Sequence, residues 1–332
     1  MSTSLSWLRR HERGNRVAVS FMVWVATHLG RVAARALLYP ICAYFLVSSR
    51  EARLSIRVFL ERVLGRRIGW CDLFRQYYCF ASTILDRVYL LTGRYDLFEI
   101  DMRGVEIVTE YLSRGQGCLL LGAHLGSFEI VKASALTHTR LDIKMLMYEE
   151  NAQMTRDVMR GLNPAVADAV IPAGMPDTML QVKECLDHGG MVGILGDRIL
   201  GPVQVTPCTF LGKPAAFPTN PMRLASVLKV PVILFFGLYQ GRNRYQIHFE
   251  LFAQEVAINR ENRDLELQRW TQRYAGRLQY YCQLAPDNWF NFFDFWDEQS
   301  YASTQVDLDA GACVMGRADP PQPDLGRPPV QD

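Results

Sequence analysis

The chain has 332 residues, 49% of them apolar and 21% charged, which is enough to bury a large core and too apolar for a disordered protein. Its net charge of +2 is unevenly spread: residues 1–70 carry twelve Arg against three acids, net +9, and the rest carry 24 basic against 31 acidic groups, net −7. A basic, apolar N-terminal part on a mildly acidic body excludes a nucleic-acid binder with an all-positive surface and fits a body held at an anionic membrane.

Met1–Arg16 is polar and basic (Arg9, Arg10, Arg13, Arg16), and two apolar blocks follow, Val17–Gly30 and Ala36–Val47, separated by Arg31 and Arg35. Ala33-Ala34 lies between those arginines with a second apolar block directly behind, which argues against a cleaved secretory leader. Fourteen residues of helix reach ~21 Å against the ~30 Å of a hydrocarbon core. The segment either spans with Arg31 snorkelling to an interface or lies in one leaflet with its arginines at the headgroups. Residues 1–48 are therefore expected to be a membrane anchor, with Met1 on the cytoplasmic side by the positive-inside rule.

Residues 49–116 read as a helical region packed on the body, with Leu60, Val63 and Leu64 along one face and the run from Leu73 to Leu91 continuing it. From Gly117 the pattern changes. Strand-length apolar runs occur at Cys118–Ala123, Ile143–Tyr148, Ala169–Ile171, Met191–Leu195, Val230–Leu238 and Tyr245–Phe252. Helix-length segments lie between or after them at Ser127–Thr139, Asn151–Leu162, Pro176–His188, Thr219–Leu228 and from about Asn262 to Leu284. Such alternation predicts an α/β body over 117–300, a mostly parallel central sheet flanked by helices, with the N-terminal membrane-associated helical segment ahead of it. Residues 301–332, rich in proline and without periodic apolar positions, read as a disordered tail.

The eight cysteines show no C-x-x-C spacing and no His at a zinc-ligand interval, so neither a metal site nor a disulfide framework is expected. A dinucleotide enzyme is disfavoured because no G-x-G-x-x-G follows a strand, and no cofactor is expected.

The chemistry-bearing stretch is Gly117-Cys-Leu-Leu-Leu-Gly-Ala-His124-Leu-Gly-Ser-Phe-Glu129. A buried strand ends at a His, a glycine turn follows, and a Glu opens the next helix. On one continuous helix this spacing would set the side chains ~140° apart, so the pair meets only if the chain turns at Gly126. A carboxylate on one ring nitrogen fixes the tautomer and leaves the other nitrogen as a base, the arrangement of acyl transfer. The plain alternative is a packed His and a solvated first-turn Glu near the helix dipole.

GAHLGSFE resembles the H-x4-D/E block of glycerolipid-type acyltransferases, and in its Glu form the late lipid A acyltransferases of Gram-negative bacteria. Leu195-Gly-Asp197-Arg198 is similar to that family's Asp-containing block, Phe210-Leu-Gly212-Lys-Pro-Ala-Ala-Phe-Pro218 to its F-x-G…P block, and Ala285-Pro-Asp-Asn-Trp289 to its late A-P-E-x-[WY] segment. The wording of Trp70–Leu91 and of the Phe210–Pro218 run also resembles a branch associated with aryl-polyene lipids. The resemblance implies an enzyme of the inner membrane, its body on the cytoplasmic face. The donor would be an acyl thioester on acyl carrier protein or coenzyme A, and the acceptor a lipid hydroxyl. In that scheme His124 is the base and Glu129 orients and stabilises its imidazolium. Arg198, Arg156 and Arg160 bind phosphate, Asp197 either shares the site or holds Arg198, and Phe210, Gly212 and Pro218 help form an acyl groove.

Two other classes compete. A serine hydrolase or thioesterase would use Ser127, though no G-x-S-x-G elbow surrounds it; Cys118, mid-strand, is a poorer nucleophile. A non-catalytic membrane scaffold would keep the fold and ignore His124.

Overall fold

The computed structural model describes residues 28, 30–131, 143–148, 169–199 and 203–296. Residues 1–27, the tail 301–332, and Arg156 and Arg160 with the helix expected around them lie outside these residues.

Helix α1 (Gly30–Ser48) runs straight through Arg31 and Arg35 and joins the second apolar block into one element. It buries one residue per turn, Ala34, Leu38, Cys42 and Leu46, against the body. Its first turn is tied down by charge: Arg31 Nε lies 2.9 Å from the buried Asp86 carboxylate, and Arg35 donates to Tyr239 Oη at 2.6 Å. Among the described residues it is the one helix long and apolar enough to cross a membrane.

Helix α2 (Arg50–Leu64) stops at Gly65, whose left-handed φ of 64° makes the C-cap. Helix α3 (Trp70–Leu91) starts where the Asp72 carboxylate accepts the Gly69 N–H at 3.1 Å. Both are amphipathic, and α3 carries Asp86 and Arg87 toward the body.

The sheet has seven strands in the order β1-β9-β8-β2-β5-β3-β4. These are β1 (Glu99–Arg103), β2 (Cys118–Gly122), β3 (Ile143–Tyr148), β4 (Val170–Ala173), β5 (Met191–Leu195), β8 (Val232–Tyr239) and β9 (Arg244–Ala253). Every neighbouring pair is parallel except β8 with β9. The α/β expectation is met. β2 and β8 are buried at every position, as central strands covered on both faces must be. Two features differ from the sequence reading. β1 lies inside the segment read as helical and pairs with β9; its alternate exposed positions are polar, so it carries no apolar run. The stretch around Phe210 is a separate hairpin of β6 (Val205–Phe210) and β7 (Lys213–Pro218), closed by Leu211 and Gly212 at φ 49° and 76°.

Helices α4 (Val105–Ser113), α5 (Thr178–Asp187), α6 (Asn220–Leu228) and α7 (Arg263–Leu284) complete the described elements. α7 covers the free edge of β6: Gln272 and Gln279 accept the Thr209 and Leu211 N–H groups, each at 2.7 Å.

Candidate active site

β2 and β5 are adjacent, parallel and in register, with Cys118 opposite Met191 and Gly122 opposite Leu195. Two residues beyond each strand end come His124 and Asp197. The matched ends bring them together at the carboxyl edge of the sheet, where open α/β folds bind ligands. Asp197 Oδ1 lies 2.8 Å from His124 Nδ1, and Oδ2 accepts the His124 backbone N–H at 3.0 Å. A third donor, the indole Nε1–H of Trp289, reaches Oδ2 at 3.1 Å.

The ionisation states follow. Burial by itself would raise Asp197, but the imidazole, its hydrogen bond and Arg198 outweigh burial and hold the carboxyl at about 2. An ionised carboxylate only accepts, so Nδ1 carries the proton and Nε2 keeps the lone pair. The His124 ring keeps 28% of its surface open but sits deep enough that burial, aided by Arg198 and Arg87, lowers its pKa; Asp197 pulls the other way and loses. The ring is neutral at physiological pH and free to take a proton at Nε2.

This arrangement corrects the pairing read from the sequence. The carboxylate on the His124 ring is Asp197, not Glu129. Glu129 instead pairs with Arg87 Nε at 2.7 Å and accepts the Ser127 hydroxyl at 3.1 Å. The cause is the turn at Gly126. With φ at 78° and its amide donating to Asn288 O at 2.8 Å, that residue lies so close to β8 that an added Cβ would stand 2.1 Å from Gly237 O. Ser127 N–H then bonds Gly237 O at 2.8 Å, so the turn is pinned to β8 and Glu129 meets α3 rather than the ring.

The strap from Ala285 to Phe293 closes the site from the other side. Phe290 N–H donates to His124 O at 2.8 Å, and Asn288 binds both backbone groups of Tyr239, at 2.7 and 3.1 Å. Trp289 is fully buried among Phe59, Phe210 and Phe295. Arg198, next to Asp197, donates to Phe290 O at 2.8 Å and lies 5.8 Å from the Phe293 ring, while its Nε is buried without a hydrogen-bond partner among the described residues.

The structure therefore brings His124, Asp197 and Arg198 together and leaves Glu129 one ion pair away. Phe210 is wholly buried and touches the site through Trp289; Gly212 turns the β6–β7 hairpin, and Pro218 ends β7. None of the three reaches the ring through a hydrogen bond or ring contact. Trp289 and Arg87 join the site only in three dimensions, although Trp289 sits in the A-P-D-N-W segment that carries part of the resemblance. Ser127 is buried, and its hydroxyl is committed to Glu129.

A mostly parallel sheet with a buried-carboxylate-held imidazole at its carboxyl edge defines an α/β protein equipped for general-base chemistry. Residues 91–297, more than half of the chain, match the family model of bacterial lipid A biosynthesis acyltransferases, and the chain belongs to that family. Among curated proteins, none matches the chain. The membership makes acyl transfer to a lipid the activity its fold serves.

Proposed function

We propose that the protein moves a fatty acyl chain from an acyl thioester, on acyl carrier protein or coenzyme A, to a hydroxyl of a lipid A-like acceptor. His124 Nε2 takes the acceptor's proton as its oxygen adds to the thioester carbonyl. The C–O bond forms, the C–S bond breaks, and the departing thiolate recovers the proton from the imidazolium. Asp197 holds the tautomer and stabilises the imidazolium. Glu129 acts one step removed, with Arg87. Arg198, with Arg156 and Arg160, binds an anionic group of the acceptor or of the donor's phosphopantetheine arm. The reading places the body on the cytoplasmic face of the inner membrane of a Gram-negative cell. An aryl-polyene-type acceptor uses the same hydroxyl chemistry, and the Trp70–Leu91 wording supports it as the second reading.

The observation that carries the proposal is the His124 ring held by Asp197 at 2.8 Å in a chain of this family. The test is transfer of a labelled acyl group by purified protein, with intact-mass detection of any acyl-enzyme. His124→Ala should lose at least ~10²-fold, the usual worth of a general base, and no covalent intermediate should form. Near-normal turnover by His124→Ala, or an acyl group trapped on Ser127, sinks the mechanism.

A further inference from the structure

Eight of the sixteen exposed large apolar side chains among the described residues fall between Val32 and Trp70. On α1, Val32, Tyr44 and Val47 are 86%, 66% and 72% exposed, and no charged residue occurs from Ala36 to Val47. The opposite stripe of α1 packs on the body along the helix, and Arg31 and Arg35 fasten its first turn to Asp86 and Tyr239. A helix of 19 residues, about 28 Å long, is thus held lengthwise against folded protein. That leaves it no way to cross a bilayer without carrying the body inside.

The neighbouring corner of α2 and α3 is basic. Residues 50–75 carry seven Arg against three acids. Arg57, Arg66 and Arg67 line an open recess with Glu61, and the Arg57 Nε is buried without a hydrogen-bond partner among the described residues. Leu54 and Val58, one turn apart on α2, are exposed beside it, and Arg53 stacks 5.4 Å over the exposed Trp70 ring. Apolar, aromatic and cationic side chains on one surface are what a bilayer interface selects.

We propose that α1 and α2 lie flat in the headgroup layer of an anionic bilayer, apolar faces inward, with Arg57 and Arg67 of the recess taking lipid phosphates while Arg66 is held by Asp72 at 2.7 and 2.9 Å. The proposal rests on the lipid-acceptor reading, but its test needs no turnover. An acidic protein partner would answer the arginines and leave the uncharged strip of α1 in water, so the bilayer is the better occupant.

The test uses the full chain with Cys71→Ser and Cys313→Ser, spin-labelled through Val32→Cys, Val47→Cys, Val58→Cys or, as control, Val227→Cys on α6. Depth is read by oxygen and nickel accessibility on phosphatidylglycerol/phosphatidylcholine vesicles. The first three labels should share one shallow depth, with the control in water. A depth difference approaching ~22 Å between the Val32 and Val47 sites, the rise of fifteen helical residues, would mean a spanning helix and overturn the proposal. So would three aqueous labels on vesicle-bound protein, which would put all binding in residues 1–27. Arg57→Gln with Arg67→Gln should weaken partition onto phosphatidylglycerol vesicles about fivefold per arginine and leave phosphatidylcholine binding unchanged. If that variant instead loses acyl carrier protein and keeps its vesicle partition, the recess belongs to a protein partner.

Discussion

Trp289 donates its indole N–H to the same carboxylate, Asp197, that holds the His124 ring, at 3.1 and 2.8 Å. One buried acid is thus gripped from β2 and from the C-terminal strap at once, and the ring is fixed as firmly as its support. Geometry of this kind matters because a general base misplaced by a fraction of an ångström loses much of its worth.

Trp289→Phe keeps most of the ring volume and removes that one donor. A hydrogen bond to a charged group is worth roughly 1.5–3 kcal/mol, so a melting temperature lowered by a few degrees is expected. Turnover should fall by about 10-fold, mainly in kcat, because Asp197 loses one of its anchors. A variant that melts lower with kcat unchanged would make Trp289 purely a core residue.

The pH dependence follows from the lowered imidazole. A base works deprotonated, so kcat/KM should be flat from neutral pH upward and fall below a pKa under the ordinary 6.5. Arg87 is one of the cations that depress the ring. Arg87→Gln should therefore move the acid limb to higher pH, toward neutrality. An unmoved or lowered limb in the pH–rate profile of that variant contradicts the electrostatic assignment.

Asp197 also marks the acid limit of stability. Its folded value of about 2 lies below the ordinary 3.8, so its contribution is full above pH 3.8 and is lost as pH falls toward 2. Melting between pH 5 and 2 should show Asp197→Asn less sensitive to acid than the parent. Parallel curves for the two proteins would mean the carboxylate is not held ionised.

Arg198 has two duties. Its bond to Phe290 O ties the end of β5 to the strap, and its buried, unpartnered Nε leaves hydrogen-bonding capacity for an anion. Arg198→Ala is expected to lower both the melting temperature and kcat/KM. Arg198→Lys keeps the charge without the fork and should recover activity only in part, still roughly 10- to 100-fold down. Full recovery by Lys would reduce the residue to a point charge.

Much of this was legible in the sequence. Near-continuous apolar strands announced a sheet buried on both faces, and the strand-ending positions of His124 and Asp197 were each visible. Their partnership was not, because it depends on β2 and β5 lying side by side in register, which no local pattern encodes. Glu129 is near His124 in the chain, yet the Gly126 turn is pinned to Gly237 and Asn288, and Glu129 pairs with Arg87 of α3 rather than with the ring. β1 is not legible because a half-exposed edge strand such as Glu99–Arg103 carries few apolar residues. The β6–β7 hairpin is hidden because Leu211, a poor candidate for positive φ, occupies the first turn position.

The central claim is that Asp197, rather than Glu129, is the carboxylate that sets the His124 base. The measurement is kcat/KM for acyl transfer by Asp197→Asn and Glu129→Gln, side by side with circular dichroism to confirm folding. Asn in place of Asp197 can donate to Nδ1 and move the proton to Nε2, so a loss on the order of 10²- to 10⁴-fold is expected. Glu129→Gln, which disturbs only the Arg87 pair, should lose less, within about 10-fold. The reverse order, with a folded Glu129→Gln protein the more crippled of the two, would contradict the account.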